Sequence, residues 1–276
     1  MRIISIGAGF VSEHLQYSIL NNRINNLYDI DKIINEHLPD VIINCIGKVG
    51  VPNIDYCESN KEETAFANTA LPIMLAERCK SKGIHLIQIG SGCIYFGPSP
   101  YKGELPGATD PGWREGDFAN PKSFYSKTKY ACDLALSSME NVTTLRIRMP
   151  ISSRNTPRNF INKIKGYKQL IDIPNSVTFM DDLTRCIDWV AKENKIGLFH
   201  VTNPEPLSAA QVMQEYQKYV PEHTFEIIDE GQLDKITIAK RSNCIINSDK
   251  LMAAGFKMTP SKEALEICMR NYINNA

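Results

Sequence analysis

The sequence has no surplus of charge of either sign, because 31 Lys+Arg residues balance 31 Asp+Glu residues over 276 positions. Proteins that hold nucleic acid through its phosphates need a basic surplus, so we expect no nucleic-acid partner. No apolar run approaches the roughly 20 residues of a membrane-spanning helix, so we expect no membrane partner. The first residues, up to Gly7, contain no apolar core of a secretion signal, which favours a cytoplasmic protein.

The eight cysteines form no C-x-x-C pair and no cluster with the five histidines at the spacing of a zinc site. The sequence therefore predicts no bound metal. In a reducing compartment, scattered cysteines are mostly small core residues and not disulfide partners. Internal repeats and low-complexity segments are also missing, while a 43% share of hydrophobic residues is enough for a large core.

What the sequence does contain is an alternation of short apolar runs with helical patterns. Strands are predicted at residues 2–6, 41–46, 84–89 and 142–148, and helices at 31–37, 62–82 and 123–139. Later helices are predicted to begin near Asp181 or Asp182, Ser208 and Pro260. This alternation is typical of α/β proteins in which helices cover a parallel sheet. We predict a Rossmann-type doubly wound parallel sheet with a small C-terminal substrate-binding lobe.

The first predicted strand ends in a glycine turn, Gly7-x-Gly9-x-x-Ser12, which leads into a helix predicted from Phe10 and Val11. Small residues at such a turn let the backbone approach a pyrophosphate at the helix N-terminus. We assign Gly7, Gly9, Phe10 and Val11 to a dinucleotide site. A tight turn that binds no ligand is the alternative.

Arg23 is the basic residue near the expected ribose position, where no acidic residue has a clear place. An arginine there accommodates the 2′-phosphate of NADPH, whereas an acidic residue binds the 2′-hydroxyl of NADH. The sequence therefore favours NADPH, with a solvated surface arginine as the alternative. Asn44 in the second strand and Pro150 after the fourth are also assigned to the cofactor site.

These assignments define two predicted domains. Residues 1–150 form an NADP-binding Rossmann domain, and residues 151–276 form mainly a substrate-binding lobe. Whether that second part returns strands or helices to the first domain stays open.

The strongest local pattern is Tyr125-Ser126-Lys127-Thr128-Lys129. Tyr125 and Lys129 are four residues apart and therefore share one helix face. A nearby ammonium lowers the pKa of a phenol, which can then pass a proton to a carbonyl oxygen during hydride transfer. Ser91, after the third strand, can bond the same oxygen. A strand-end serine, a long Gly- and Pro-rich segment over 90–120 and Tyr-x-x-x-Lys on a helix resemble the extended short-chain dehydrogenase/reductases.

Longer motifs resemble those of bifunctional UDP-4-keto-6-deoxy-D-glucose 3,5-epimerase/4-reductases of plants and giant viruses. They lie at residues 51–59, 92–95, 124–129, 145–153, 155–163 and 241–243. The dTDP-4-dehydrorhamnose reductases are more distant relatives. The resemblance implies epimerisation at C3 and C5 and reduction of C4 with NADPH, giving UDP-β-L-rhamnose. Two features depart from the family: Ile6 and Ser12 replace the outer glycines of its first turn, and segment 15–30 is shorter.

The resemblance also implies roles for individual residues. Epimerisation needs a base and an acid on opposite sides of the sugar ring, and the family residues with these roles match Cys93 and Lys163. The alternatives are a buried strand-end thiol for Cys93 and a phosphate-binding or surface role for Lys163. Substrate contacts are assigned to Arg158, Asn159, Arg241 and Asn243. Asn68 is expected to brace the strand ends. The sequence does not decide whether Trp113 belongs to a lid or is a packing residue.

Two other functions stay open on the sequence alone. One is a dTDP-4-dehydrorhamnose reductase without epimerase activity, against which Cys93 and Lys163 argue. The other is a catalytically silent, reductase-like regulatory subunit, against which Ser91, Tyr125 and Lys129 argue. The predicted partners are a UDP-sugar substrate and a separate upstream 4,6-dehydratase that supplies the 4-keto sugar. The choice between UDP and dTDP, and between a monomer and a homodimer, is left open.

Overall fold

The computed structural model of the chain describes residues 1–51, 53–103 and 110–275. Three parts of the predictions lie outside these residues: Pro52 of the motif at 51–59, residues 104–109 of the long Gly- and Pro-rich segment, and Ala276 of the C-terminal lobe.

The described residues alternate strands and helices along most of the chain. The strands are β1 (Ile3–Ile6), β2 (Ser18–Leu20), β3 (Val41–Asn44), β4 (His85–Ser91), β5 (Val142–Ile147), β6 (Pro150–Ile151), β7 (Gln169–Ile171), β8 (Thr178–Phe179), β9 (Gly197–His200) and β10 (Glu226–Ile228). The helices are α1 (Leu27–His37), α2 (Asp55–Ser59), α3 (Lys61–Ala65), α4 (Leu71–Ser81), α5 (Phe124–Leu136), α6 (Phe160–Lys165), α7 (Met180–Glu193), α8 (Ala209–Gln217), α9 (Glu230–Lys235), α10 (Asp249–Ala253) and α11 (Ser261–Asn274).

The main sheet has the strand order β2-β1-β3-β4-β5-β9. Strand β1 pairs in parallel with β2 and β3, and β3 pairs in parallel with β4. Every residue of β3 and β5 is buried, as expected for strands covered on both faces. The predicted Rossmann-type α/β fold with a parallel central sheet is confirmed. The sequence did not reveal β2 and β9, which are short and partly exposed.

The connection from β1 to β2 corrects one prediction. The helix predicted from Phe10 is a single 3₁₀ turn, Ser12–His14. Residues 7–17 are fewer than the dozen or so that a helical crossover between parallel strands needs, so the chain has no room for an α-helix. The Tyr17 hydroxyl and the Gln16 amide instead donate to the Asp188 carboxylate on α7, at 2.6 and 2.9 Å.

The long helix predicted over 62–82 is interrupted. It consists of α3, a π-helical segment Phe66–Ala70, and α4. Pro72 lies at the start of α4 and has no N–H to donate to the carbonyl four residues earlier, which explains why regular α-helical bonding fails here. The helix ends at Ser81, and Gly83 follows with a φ of +67°, close to the predicted stop.

The chain forms two compact units. The first consists of Met1–Ile94, Ala119–Arg146 and Thr184–Phe199, and the second of Tyr95–Phe118, Ile147–Leu183 and His200–Ala276. Within the first unit, the core joins apolar side chains of β1, α1, β3, α4, β4 and α5. No helix in the described ranges is long and apolar enough to cross a membrane.

In the second unit, two small parallel pairs, β6–β8 and β7–β10, accompany helices α6, α8 and α11 around a separate core. Helix α8 begins after Ser208, as predicted, with a capping box in which Ser208 and Gln211 satisfy each other's backbone N–H groups. Trp113 is a packing residue of this unit. Its ring stacks on Tyr95 with centroids 4.8 Å apart, and its Nε1–H donates to the Gly97 carbonyl at 3.1 Å.

Helix α5 is fixed to the sheet by a buried ion pair. Arg146 Nε on β5 lies 2.7 Å from Asp133 Oδ2 on α5, and the side chains are only 4% and 2% exposed. Burial raises the pKa of the Asp133 carboxyl, and the Arg146 guanidinium opposes this rise. The carboxyl can therefore become neutral if its partner is lost, whereas a guanidinium cannot release its proton.

This asymmetry predicts unequal costs for breaking the pair. Asp133→Ala leaves a buried, unpaired cation and is expected to lower the free energy of unfolding by about 3–5 kcal/mol. Arg146→Met keeps most of the apolar stem and should cost less, because Asp133 can take up a proton. Urea denaturation of the two variants measures both losses. An equal or larger loss for Arg146→Met would contradict the argument.

Candidate active site

Tyr125 and Lys129 lie one turn apart near the beginning of α5, and both are buried, with 8% and 5% of their surface exposed. The helix begins at this point because the Ser123 hydroxyl accepts a hydrogen bond from the Ser126 N–H at 3.1 Å. The Glu58 carboxylate also accepts from the Phe124 N–H at 2.7 Å. A carboxylate beside a helix N-terminus is favourable because the first N–H groups carry partial positive charge.

Ser91 is the last residue of β4 and lies beside this helix. Its hydroxyl accepts a hydrogen bond from the Cys93 N–H at 3.1 Å and lies close enough to the Tyr125 phenol to affect the pKa of that phenol. Cys93 lies in the 3₁₀ turn Gly92–Ile94 that follows the strand, and it is partly exposed. The structure therefore brings together three of the predicted catalytic residues: Ser91, Cys93 and Tyr125.

The protonation of Tyr125 differs from the prediction. Burial raises the pKa of the phenol above its usual value, and the nearby Cys93 thiol adds to the rise. The Ser91 hydroxyl works in the opposite direction. The net shift is therefore upward and not downward, and the effect of Lys129 on this pKa stays a prediction. Tyr125 is therefore a protonated phenol at neutral pH.

Lys129 has a well-defined position. Its Nζ donates to the Ile89 carbonyl at 3.0 Å. An ammonium has three hydrogens, so two remain for other acceptors. A Cβ placed on Gly47 would lie 3.4 Å from Asn68 Oδ1 and 3.9 Å from Lys129 Nζ. The absence of a side chain at Gly47 therefore keeps the space beside Lys129 open.

Asn68 lies in the π-helical segment and braces the chain after β3, as expected. Its Oδ1 accepts from the Lys48 N–H at 2.7 Å, and its Nδ2 donates to the Lys48 carbonyl at 3.0 Å. Nδ2 is also 3.2 Å from Thr128 Oγ1 on α5. One buried amide thus ties the loop after β3 to the helix that holds Tyr125 and Lys129.

The glycine turn after β1 approaches the end of β3 closely. Gly7 has a φ of +94°, and a Cβ there would lie 2.6 Å from Ile46 Cγ1, so only glycine fits. The Gly9 N–H donates to Ser12 Oγ at 2.8 Å, which closes the turn on itself. Phe10 and Val11 lie in this turn, but they precede a 3₁₀ turn and not the predicted α-helix.

Asn44 and Arg23 occupy different environments. Asn44 is completely buried at the end of β3, where its amide donates to Gln88 Oε1 at 2.7 Å and accepts from the Ile46 N–H at 3.0 Å. These bonds join β3 to β4 and shape the following loop. Arg23 is exposed just beyond β2, where its Nε donates to Asn25 Oδ1 at 3.2 Å. Their contacts with a cofactor remain predictions.

In the second unit, Lys163 lies on α6 and Arg158 just before that helix. Lys163 is exposed, but the protein atoms around its ammonium lower its pKa, and the Arg158 charge adds to this effect. Asn159 is completely buried as the N-cap of α6, and its amide donates to the Ser152 and Arg154 carbonyls at 2.6 and 2.9 Å. Its predicted substrate contact stays a prediction.

The remaining predicted residues also belong to the second unit. Arg241 is half-buried and donates to the Ala239 carbonyl at 2.9 Å. The Asn243 amide donates to Glu230 Oε1 at 3.1 Å. Pro150 is the first residue of β6. Sequence reasoning did not single out Ser126 or Glu58, although both lie in motifs that it used. Their pairing with distant backbone groups leaves no signal in residue type or spacing.

The chain belongs to the family of the RmlD substrate binding domain, whose model matches residues 10–274. It is 37% identical over 257 residues to a bifunctional dTDP-4-dehydrorhamnose 3,5-epimerase/dTDP-4-dehydrorhamnose reductase of Arabidopsis thaliana. This alignment covers 92% of the chain and 84% of the relative. The predicted resemblance to bifunctional epimerase/reductases is confirmed.

A longer relative and a crystal structure extend the comparison. A trifunctional UDP-glucose 4,6-dehydratase/UDP-4-keto-6-deoxy-D-glucose 3,5-epimerase/UDP-4-keto-L-rhamnose-reductase of the same plant is 36% identical, over 89% of this chain. The chain spans only 36% of that protein's length. The crystal structure of a UDP-rhamnose synthase from Acanthamoeba polyphaga mimivirus is 27% identical, with a TM-score of 0.89 and coverage of 98% of this chain and 99% of that one.

Proposed function

We propose that the protein epimerises UDP-4-keto-6-deoxy-D-glucose at C3 and C5 and then reduces C4 with NADPH to give UDP-β-L-rhamnose. The observation that carries this proposal is the grouping of Ser91, Cys93 and Tyr125 where β4 meets α5. A reductase alone has no need of a thiol beside the phenol that serves the ketone. Relatives with both activities in their names support the same conclusion.

The epimerisation step is a matter of proton transfer next to a ketone. The hydrogens on C3 and C5 are acidic because both carbons adjoin the C4 carbonyl. At each carbon in turn, Cys93 as a thiolate removes the proton and Lys163 delivers a proton to the opposite face, and the two groups regain their starting protonation by exchange with solvent. Tyr125 stabilises the negative charge that forms on O4. The lowered pKa of Lys163 supports this role, because it brings the amine closer to the range in which a general acid works near neutral pH.

The reduction step uses the same oxygen. NADPH, when bound, supplies the hydride that C4 receives. Tyr125 gives its proton to O4, and Ser91 donates a hydrogen bond to that oxygen. Because its pKa is raised, the Tyr125 phenol is protonated and carries the proton that O4 needs when negative charge develops there. A single phenol thus serves both steps, first as a hydrogen-bond donor and then as an acid.

The residues at the strand ends fit a dinucleotide. Lys129 has two hydrogens left for the hydroxyls of the nicotinamide ribose, and Gly47 leaves room beside it. Arg23 follows β2, the position from which a cation reaches an adenosine 2′-phosphate. Gly7, Gly9, Phe10 and Val11 would face the pyrophosphate through the backbone. Asn44 and Pro150 would shape the nicotinamide end.

Substrate binding and supply complete the proposal. Arg158 and Arg241 would neutralise the diphosphate, and Asn159 and Asn243 would bind the sugar or hold these arginines in place. In this scheme residues 1–150 serve the cofactor and 151–276 mainly the substrate. A separate 4,6-dehydratase would supply the ketone in the cytoplasm, the activity that the longer plant relative carries in its name. Monomer and homodimer remain alternatives.

Incubation with UDP-4-keto-6-deoxyglucose and NADPH, followed by NMR identification of the sugar, tests the overall proposal. UDP-rhamnose is the expected product. A parallel reaction with the dTDP sugar is informative because one relative is named for dTDP substrates. A product that retains the gluco configuration would favour the reductase without epimerase activity. No cofactor oxidation with either sugar would favour the silent subunit.

The first functional prediction concerns the proton donor. Tyr125→Phe keeps the ring and removes the hydroxyl, so NADPH oxidation should fall about 10²–10⁴-fold, the usual contribution of a general acid. Cofactor binding, followed by fluorescence titration, should be largely kept. Tyr130→Phe, on the same helix, is the matched control and should react like the parent protein. Near-normal turnover of the Tyr125 variant would refute its assignment.

The second functional prediction separates the two steps. Cys93→Ser replaces the thiol by a hydroxyl that is a poor base at neutral pH, and Lys163→Ala removes the acid. Both variants should lose deuterium exchange from solvent at C3 and C5, measured by NMR without NADPH. Both should still reduce a pre-epimerised 4-keto-rhamnose nucleotide, because Ser91, Tyr125 and Lys129 remain. Undiminished exchange in Cys93→Ser would make the thiol a packing residue.

The third functional prediction concerns cofactor choice. Arg23→Ala should raise the KM for NADPH about tenfold, the effect of losing roughly 1.4 kcal/mol of charged hydrogen bonding. The KM for NADH should change little, because that cofactor lacks the 2′-phosphate. Lys32→Ala, which removes an exposed cation from α1, is the charge-matched control. Equal use of NADH and NADPH by the parent protein would show that Arg23 does not select the cofactor.

A further inference from the structure

The peptide groups on both sides of Cys93 are held by buried side-chain hydroxyls. The Cys93 N–H donates to Ser91 Oγ at 3.1 Å, and the Cys93 carbonyl accepts from Ser126 Oγ at 2.6 Å. Ser91 is 4% exposed and Ser126 is 1% exposed. Ser91 comes from the strand that precedes Cys93, whereas Ser126 comes from α5, directly after Tyr125.

The directions of these hydrogen bonds follow from the groups involved. A carbonyl can only accept, so the single hydroxyl hydrogen of Ser126 goes to Cys93. The hydroxyls of Ser123 and Ser126 lie 2.8 Å apart, and Ser123 must therefore be the donor in that contact. The Ser123 oxygen in turn accepts from the Ser126 N–H. These three hydrogen bonds form a continuous chain from the N-cap of α5 to the Cys93 carbonyl, in which each bond polarises and strengthens the next.

We propose that Ser126 is a positioning residue for epimerisation: its hydroxyl fixes the backbone of Cys93 to the first turn of α5, so that the thiol and the Tyr125 phenol keep a set separation. This inference rests on the proposed function. Proton abstraction from carbon depends strongly on the distance between base and carbon, and an error of about 1 Å can cost up to about 10²-fold in rate. The thiol is therefore the group most sensitive to loss of this bond.

The reductive residues do not depend on the same bond. Lys129 is held by the Ile89 carbonyl, and α5 itself is anchored by the Asp133–Arg146 ion pair and by Glu58 at the Phe124 N–H. These contacts remain when the Ser126 hydroxyl is removed. Loss of that hydroxyl should therefore separate the two activities without any change in a group that reacts.

The test is Ser126→Ala in the full chain. Deuterium exchange at C3 and C5 of UDP-4-keto-6-deoxyglucose, measured by NMR without NADPH, should slow about 10–10²-fold. NADPH oxidation with a pre-epimerised 4-keto-rhamnose nucleotide should stay close to that of the parent protein. The measured quantity is the ratio of the exchange rate to the reduction rate. A general loss of folded protein lowers both rates equally and leaves this ratio unchanged. Ser126→Thr, which keeps a hydroxyl at this position, should restore the ratio.

Ser123→Ala is the matched control. It removes the N-cap of α5 and so weakens the same helix end, but it leaves the Ser126 hydroxyl free to bond Cys93. It should keep a ratio of exchange to reduction much closer to that of the parent protein. Equal falls of the ratio in Ser123→Ala and Ser126→Ala would overturn the inference, because helix fraying would then explain both.

Two further results are decisive. Parent-like exchange in Ser126→Ala, with exchange present in the parent, overturns the positioning role alone and leaves the proposed function standing. Absence of exchange in the parent protein itself overturns the proposed epimerase and this inference with it. A Ser126→Thr variant that reduces normally but exchanges as slowly as Ser126→Ala also counts against the inference, since the hydroxyl would be present without effect.

Discussion

The rest of the site depends on the contact between the end of β4 and the beginning of α5. In a parallel sheet the carboxyl ends of the strands lie at one edge. This arrangement alone does not determine how a helix from a distant part of the chain packs against that edge. Here the helix is positioned by polar groups: the half-buried Glu58 and the buried Ser123 at the helix N-terminus, and the buried Asp133–Arg146 pair further along it. Burying any of these groups without its partner would lower the stability of the fold. The helix therefore has one favourable position against the sheet.

In the proposed mechanism, this position of the helix gives one phenol two tasks. Burial keeps Tyr125 protonated, which suits a group that must first stabilise an oxyanion and later deliver a proton to it. The thiol beside it needs the opposite property, because it must lose a proton before it can act. In the proposed mechanism both groups act during epimerisation, the thiol on the C–H bond and the phenol on O4, and only the phenol acts again when the hydride arrives.

The sequence was most informative where chemistry and spacing coincide. Tyr125 and Lys129 follow from helical geometry, and Ser91 follows from its place after an apolar strand. It was least informative where an outcome depended on length or on distant partners. The glycine turn suggested a helix, yet residues 7–17 are too few to form one between parallel strands. Pro72 was visible in the sequence, but its effect on Asn68 required knowledge of which carbonyl lost its partner. Ser126 looked like an ordinary helix residue because its partner is a carbonyl from another element.

The two hydrogen bonds that fix the Cys93 backbone have a consequence for how such enzymes diverge. Ser91 and Ser126 bind the backbone N–H and carbonyl of Cys93, which every residue except proline offers, and neither bond involves the sulfur. These two bonds therefore fix the backbone of residue 93, and neither of them depends on which side chain this residue carries. In the proposed mechanism, replacing the thiol by another small group would stop epimerisation of the sugar ring and leave the residues that serve the reduction unchanged. In that mechanism a single codon change at position 93 would abolish the ring-inverting activity, whereas gaining it would also need Lys163, and in both cases the reducing residues would be inherited unchanged.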